Sequence, residues 1–123
     1  MTVREAIDRA DTLRPNMVSE SEKRVWLAQL DGAMRRQIHG QHEQAEGADG
    51  AGADKNQEDG TVLLAQEPYT GIYPYWLMAQ IDLALGELTR YNKDMMLYNM
   101  ALTEYAVDYK RSHLPVKRGQ FTL

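Results

Sequence analysis

Two histidines near the middle of the chain have a spacing from which metal sites are built. His39 and His42 lie three positions apart, and Glu43 and Glu46 follow them. On a helix, side chains at positions i and i+3 share a face, and imidazole and carboxylate are both ligands of zinc. Gly40 separates the histidines at a predicted helix end, however, and no third ligand is fixed. The sequence therefore favours two solvated histidines over a metal site.

Asp82 and Glu87 offer a second kind of chemistry, acid–base catalysis by paired carboxylates. They lie five positions apart on one predicted helix and so project about 140° away from each other. No nucleophile, base and orienting group can be assembled around them, and a chain without cysteine has no thiol to use. We therefore predict no catalytic residue, no metal ligand and no cofactor. We expect Asp82 to form a hydrogen bond between helices or between subunits.

Aromatic and methionine side chains crowd the last predicted helix. Tyrosines recur there at intervals of seven and four, which indicates helix packing more than a platform for stacked bases. Met96 and Met100 lie off the tyrosine face, so this helix is predicted to be apolar on more than one side. A second apolar side suggests a surface for another protein. The residues expected at such an interface are Tyr98, Tyr105, Tyr109, Met96 and Met100.

Four helices are predicted to hold these side chains. Thr2 with Glu5, and Ser19 with Glu22, form capping boxes that begin the first two helices. The first helix is expected to end at Arg14-Pro15-Asn16, and the second to run to about His39. The residues expected in the core are Trp26 (or its neighbour Leu27), Leu30, Met34, Leu77, Ile81 and Leu88.

The third and fourth helices are predicted to meet at Tyr91-Asn92-Lys93, where Asn92 would cap the last helix. Pro74 suits the first turn of the third helix. An apolar seam formed by Leu77, Ile81, Ala84, Leu88 and Tyr91 would then continue past Gly86 in mid-helix. Pro115 would end the last helix. The prediction is a small all-α bundle in one domain, residues 1–115.

The segments between and after the helices are polar. Residues 40–60 contain five glycines and six acids and no large apolar side chain, which predicts a mobile acidic loop. Residues 61–72 include a β-prone run that must pair either with Ile72-Tyr73 or with a neighbouring chain. Residues 116–123 form a predicted extended tail, whose Lys117, Arg118 and Phe121 are further candidates for an interface.

Bulk composition excludes several classes of protein. A net charge of −4 over 123 residues gives no overall basic field for nucleic acid. Charged residues from Arg4 onward argue against a signal peptide, and no apolar run approaches the ~20 residues of a membrane span. We expect a small intracellular chain without a membrane partner.

Two blocks of the sequence resemble the head–tail connector (adaptor) proteins of tailed bacteriophages. The first is VREAIDRADTLRPNMVSESEKRVWLAQLDG. The second, PYTGIYPYWLMAQIDLALGELTRYNKDMMLYNMALTEYAVDYKRS, has an aromatic-rich start, Ile81-Asp82, Gly86-Glu87, Tyr91-Asn92 and an amphipathic last helix. The acidic segment 40–60 is less typical of that family.

The resemblance implies a structural virion protein of the neck region, assembled in the host cytoplasm. Such proteins form a ring of about twelve subunits beneath the capsid portal, which extends the DNA channel and docks head-completion (stopper) or tail proteins. The resemblance also implies that residues 116–123 grip the portal.

The residues by themselves leave two other classes open. One is a small helical protein–protein interaction module, regulatory or scaffold, that binds a host protein through the same apolar surface. The other is a DNA-binding regulator, for which Arg35-Arg36 on the second helix provides little basic surface.

Overall fold

The computed structural model describes residues 1–41 and 58–113, and α-helices make up most of this part of the chain. The helices are α1 (Val3–Leu13), α2 (Glu20–Gln37), α3 (Ile72–Ala84) and α4 (Leu88–Ser112), and a single 3₁₀ turn, His39–Gln41, follows α2. No strand occurs within the described ranges. The predicted all-α bundle is confirmed. The acidic segment falls largely in 42–57 and the tail in 114–123, so both predictions lie outside the described residues.

Both predicted N-cap residues begin their helices, and the first of the two predicted capping boxes is complete. The Thr2 hydroxyl accepts the Glu5 N–H at 3.1 Å, and the Glu5 carboxylate accepts the Thr2 N–H at 2.9 Å. This reciprocal pair satisfies two backbone donors that a helix start leaves free. At α2, the Ser19 hydroxyl accepts the Glu22 N–H at 3.1 Å. These local bonds fix where α1 and α2 start before any packing is considered.

α3 lies at the centre of the bundle, and α1, α2 and α4 all pack against it. Its buried side chains include Ile72, Tyr73, Leu77, Met78 and Ile81. A helix that is apolar on most of its sides belongs inside a fold. α4 runs back along α3 as an antiparallel neighbour, since Trp76 contacts Tyr98 with ring centroids 4.9 Å apart.

The turn between α3 and α4 lies at residues 85–87, which we call the corner, and the predicted break at Tyr91-Asn92-Lys93 is wrong. Gly86 has φ +77°. The Glu87 N–H donates to the Asp82 carbonyl at 2.8 Å and the Gly86 N–H to the Leu83 carbonyl at 3.1 Å. These two bonds form a Schellman motif, whose left-handed residue is usually glycine. Gly86 therefore ends α3 and does not lie in mid-helix, and α4 continues through Asn92.

The shifted corner changes part of the predicted core. Leu30, Met34, Leu77 and Ile81 are buried. Leu88 was expected to join them, but it is 58% exposed because it begins a new helix beyond the corner. Trp26 was also expected in the core and is half-buried at its margin; the neighbouring Leu27 is fully buried instead.

The β-prone run pairs with the chain's own N-terminus, and neither predicted partner is needed. Thr2 and Val62 form an isolated antiparallel bridge. The Val3 N–H donates to the Thr61 carbonyl at 3.0 Å, and the Leu63 N–H donates to the Met1 carbonyl at 2.9 Å. The run thus closes over the start of α1, so the predicted pairing with Ile72-Tyr73 was wrong, and pairing with a neighbouring chain stays a prediction.

A buried polar network holds the end of this run against the helices. The Tyr73 hydroxyl donates to Asp31 Oδ1 at 2.7 Å and accepts the Ala65 N–H at 2.7 Å. Asp31 Oδ2 accepts the Leu64 N–H at 3.0 Å. Burial raises the pKa of Asp31, against the effect of these donors. Burial and the neighbouring Asp31 carboxylate raise the pKa of Tyr73, so its hydroxyl stays a donor.

Candidate assembly surface on the last helix

The inner face of α4 packs inside the chain's own fold. Tyr98, Tyr105 and Tyr109 are each 7% exposed and belong to the core cluster. Burial raises the pKa of Tyr98. Tyr105 meets the edge of the Tyr69 ring at a centroid distance of 5.7 Å. These three tyrosines were expected at a subunit interface, but Trp76, Tyr69 and His39 already contact their rings inside the subunit, so little of their surface is left for a neighbouring subunit.

The outer face of α4 carries a second apolar stripe on the opposite side. Met96 is 59% exposed, Met100 57% and Val107 47%. With the exposed Thr103 between them, these residues recur at intervals of three and four and so share one helix face. We call Met96, Met100, Thr103 and Val107 the outer stripe. Within the described residues nothing covers it, and its flexible methionines suit a surface that adapts to a partner.

A shallow groove adjoins the C-terminal end of the outer stripe. It has a volume of about 320 Å³ and is lined by Tyr69, Thr103, Glu104, Val107, Asp108 and Arg111. The lining is mixed, with one aromatic ring, one aliphatic side chain and charges of both signs. It contains no group of at least three metal-binding side chains, and none exists elsewhere in the part of the chain that the structure describes.

Three leucines at the corner form another exposed apolar patch. Leu83, Leu85 and Leu88 are 45–58% exposed. They flank the Schellman turn at the end of the molecule opposite to the Tyr69–Tyr105 contact. The corner patch is short, whereas the outer stripe extends over three turns of α4.

Of the two histidines expected to be solvated, His39 lies within the described residues and is instead packed against tyrosines of α4. His39 stacks on Tyr109 with ring centroids 4.1 Å apart, and His113 stacks on the other face of the same ring at 3.8 Å. His39 Nε2 also lies 2.5 Å from the Tyr105 hydroxyl. His42 lies outside the described residues. His39 thus joins the end of α2 to the end of α4.

Asp82 lies in a buried ionic cluster, which confirms an inter-helix role for it. Arg14 Nε donates to Asp82 Oδ2 at 3.0 Å, and Arg14 Nη2 donates to Asp94 Oδ1 at 3.1 Å. Both carboxylates are buried. Glu87, the other predicted carboxylate, is exposed at the start of α4 and does not join the cluster. Arg14 and Asp94 escaped the sequence analysis because they are 80 positions apart and neither stands in a motif.

Lys117, Arg118 and Phe121 lie outside the described residues, so their predicted interface role has no structural description. Among the described helices, none is long and apolar enough to cross a membrane. Comparisons of the chain with family models, with curated proteins and with solved structures give no match.

Proposed function

We propose that this chain is a structural assembly protein, a head–tail connector whose copies form a ring beneath the capsid portal of a tailed bacteriophage. The ring, of about twelve subunits by family resemblance, extends the DNA channel and docks head-completion (stopper) or tail proteins. In this proposal the protein is placed in the neck of the virion and assembles in the host cytoplasm. The kind of assembly proposed comes from the resemblance of the two sequence blocks to head–tail connector proteins.

The observation that carries the proposal is the outer stripe. α4 buries one apolar face in its own subunit and presents a second one to solvent over three turns. Exposed methionines and a valine in register on one helix are a surface that a further protein can cover. The tyrosines do not support the proposal, because they are covered within the subunit. The β-prone run does not support it either, because it pairs with Thr2.

A closed ring gives such a modest surface enough strength. In a ring the contacts are heterologous, so each subunit covers two different faces of its neighbours. Each contact is repeated around the circle, and after the first one the next is formed at high effective concentration. One apolar stripe per subunit is consistent with an assembly that forms on a portal template and not in dilute solution.

The test places a charge on the outer stripe. Met100→Glu is expected to leave the fold intact, because the side chain is 57% exposed, and to abolish ring formation on the portal. The matched control is Leu88→Glu, since Leu88 is equally exposed but lies at the corner. Purified portal is incubated with each variant. Stoichiometry is read by mass photometry and geometry by negative-stain electron microscopy.

Two outcomes would overturn the proposal. If Met100→Glu forms rings as the unmodified chain does, the outer stripe is not the contact between subunits. If the unmodified chain binds a soluble host protein one-to-one and shows no portal association, the chain is an interaction module instead. If Leu88→Glu abolishes ring formation and Met100→Glu does not, the contact between subunits lies at the corner patch.

A further inference from the structure

The ionic cluster of Arg14, Asp82 and Asp94 contains two carboxyl groups and one guanidinium. Asp82 and Asp94 are buried, and Arg14 is mostly buried. If both carboxyl groups were ionised, the cluster would hold one uncompensated negative charge. A buried charge without a partner is unfavourable, and a buried carboxyl group takes up a proton instead of staying ionised.

The hydrogen bonds of the cluster leave one acceptor unused. Asp82 Oδ2 accepts from Arg14 Nε, but Asp82 Oδ1 is buried and has no hydrogen-bond partner among the described residues. Asp94 Oδ1 accepts from Arg14 Nη2 at 3.1 Å, whereas Asp94 Oδ2 lies at 3.5 Å from the same nitrogen. Since Nε and Nη2 belong to one guanidinium, the two carboxyl groups lie beside each other. Asp82 Oδ1 lacks a donor, and an ionised Asp94 beside it has none to give. A proton on Asp94 supplies that donor.

We propose that Asp82 and Asp94 share one proton on the acidic side of neutrality, and that losing it as the pH rises loosens the corner. The proton resides on Asp94 and is donated to Asp82 Oδ1, which gives that oxygen its partner. When the pH rises the proton passes to water, and two carboxylates then face one guanidinium.

The neighbouring charges agree with this assignment. Burial, with a smaller contribution from the neighbouring Asp82, raises the pKa of Asp94 to about 6, and Arg14 opposes the shift. Arg14 at the end of α1 and Asp82 on α3 are the charged groups in contact with Asp94 among the described residues. On α4 itself, Arg90 lies one turn earlier and is exposed. The shared proton therefore lies where α3 and α4 meet the end of α1.

The same cluster is tied to the corner through the backbone of Asp82. The Asp82 carbonyl accepts the Glu87 N–H at 2.8 Å in the Schellman motif, while its carboxyl group accepts from Arg14. Repulsion between Asp82 and Asp94 pushes the end of α3 away from the second turn of α4. The Glu87 N–H forms the hydrogen bond that this displacement would weaken, so its rate of hydrogen exchange reports the displacement.

The sign of the effect on stability follows from the raised pKa. The folded state holds the proton up to about pH 6, whereas the unfolded chain loses it near pH 4. The contribution to stability is complete below about pH 4 and is lost as the pH rises through about 6. Asp31 shifts in the same direction, so only the difference between the unmodified chain and an Asp94 variant isolates this pair.

The experiment is a carbon-13 NMR titration of the side-chain carboxyl groups in the full chain between pH 3 and 8. We expect one transition of the pair near pH 6. If both carboxyl groups titrate at or below about pH 4, the proposal is wrong. The titration uses the unmodified chain, so it decides the question whether or not any variant folds.

A variant measures the consequence. Asp94→Asn carries a permanent amide donor for Asp82 Oδ1 and no charge. At pH 8 it is expected to melt higher than the unmodified chain and to slow hydrogen exchange at the Glu87 amide; the gain should shrink at pH 5. The control is Asp108→Asn on the same helix, whose carboxylate makes no hydrogen bond or ion pair within the described residues. Equal destabilisation by Asp94→Asn at both pH values would contradict the proposal.

Discussion

The Tyr73 hydroxyl joins three separate parts of the described chain. It bonds Asp31 on α2 and the Ala65 N–H of the segment before α3. Both partners are buried. A buried polar group left without a partner costs the full free energy of its desolvation. The hydroxyl of Tyr73 is therefore needed in addition to the volume of its ring.

We predict that Tyr73→Phe lowers the free energy of unfolding by about 1–3 kcal/mol, because it orphans the Ala65 N–H and one bond of Asp31. Urea denaturation followed by circular dichroism measures the change. The control is Tyr98→Phe, since Tyr98 is also buried but its hydroxyl has no hydrogen bond within the described residues. A loss of stability as large for Tyr98→Phe would show that the network does not account for the effect.

Periodicity predicts burial well at single positions inside a helix, and less well beside a large aromatic. Leu30, Met34, Leu77 and Ile81 repeat at helical intervals and are buried. Trp26 and Leu27 compete for one core position, and the spacing does not choose between them. The smaller Leu27 fills it, and Trp26 remains at the margin with its carbonyl accepting the Trp76 indole N–H at 3.2 Å.

Among the elements, the corner between α3 and α4 depends most on one residue. Gly86 is the described residue with positive φ. A side chain in the left-handed region places Cβ close to the following carbonyl oxygen. Glu87 at the N-cap of α4 gives no side-chain hydrogen bond, so the glycine conformation and its two backbone bonds carry the turn.

We predict that Gly86→Ala lowers stability by about 1–2 kcal/mol, since the cost comes from backbone conformation and not from crowding. A methyl group at this position would meet no atom within 4 Å other than those of Gly86 and the two adjoining residues. Gly60→Ala is the control, because Gly60 is equally open but its φ is not positive. Differential scanning calorimetry compares the melting temperatures. Equal melting of the two variants would contradict the assignment.

Helix existence is readable from the sequence here, and the position of the corner is less so. The caps at Thr2 and Ser19 are local, so a short motif is enough to predict them. A glycine inside an apolar pattern is either a tolerated interior residue of one helix or the residue that ends the helix. Hydrogen bonds from Gly86 and Glu87 to the carbonyls of α3 show that this glycine ends the helix; the apolar spacing, which continues past Gly86 to Leu88 and Tyr91, does not distinguish the two cases.

At the scale of the whole molecule, the described body has two unlike ends. The corner, the leucine patch and the Arg14 cluster lie at one end. At the other, His39 and His113 stack on opposite faces of Tyr109. The residues that precede segments 42–57 and 114–123 are therefore close together. Ion pairs 68 and 80 positions apart in sequence cannot be read from spacing, which is why the cluster was found in the structure alone.

The tail provides the prediction that belongs to the whole assembly. Deleting residues 116–123 is expected to leave the helical signal and the melting temperature unchanged, because the four helices and the capping and corner hydrogen bonds that begin and end them lie in the chain before Pro115. The same deletion is expected to abolish binding to the portal, since it removes Lys117, Arg118 and Phe121. Circular dichroism measures the first effect, and co-purification with tagged portal measures the second.

The control for the deletion is a chain that keeps the tail's length but reverses its charge, Lys117→Glu with Arg118→Glu. If charge attracts the tail to the portal, this variant binds as poorly as the deletion, and raised salt weakens the unmodified chain as well. If the reversed tail still binds, Phe121 and the backbone carry the contact. Portal binding by the deleted chain at the unmodified level would assign the portal contact to the helical body, and the outer stripe would then be the surface to test against the portal itself.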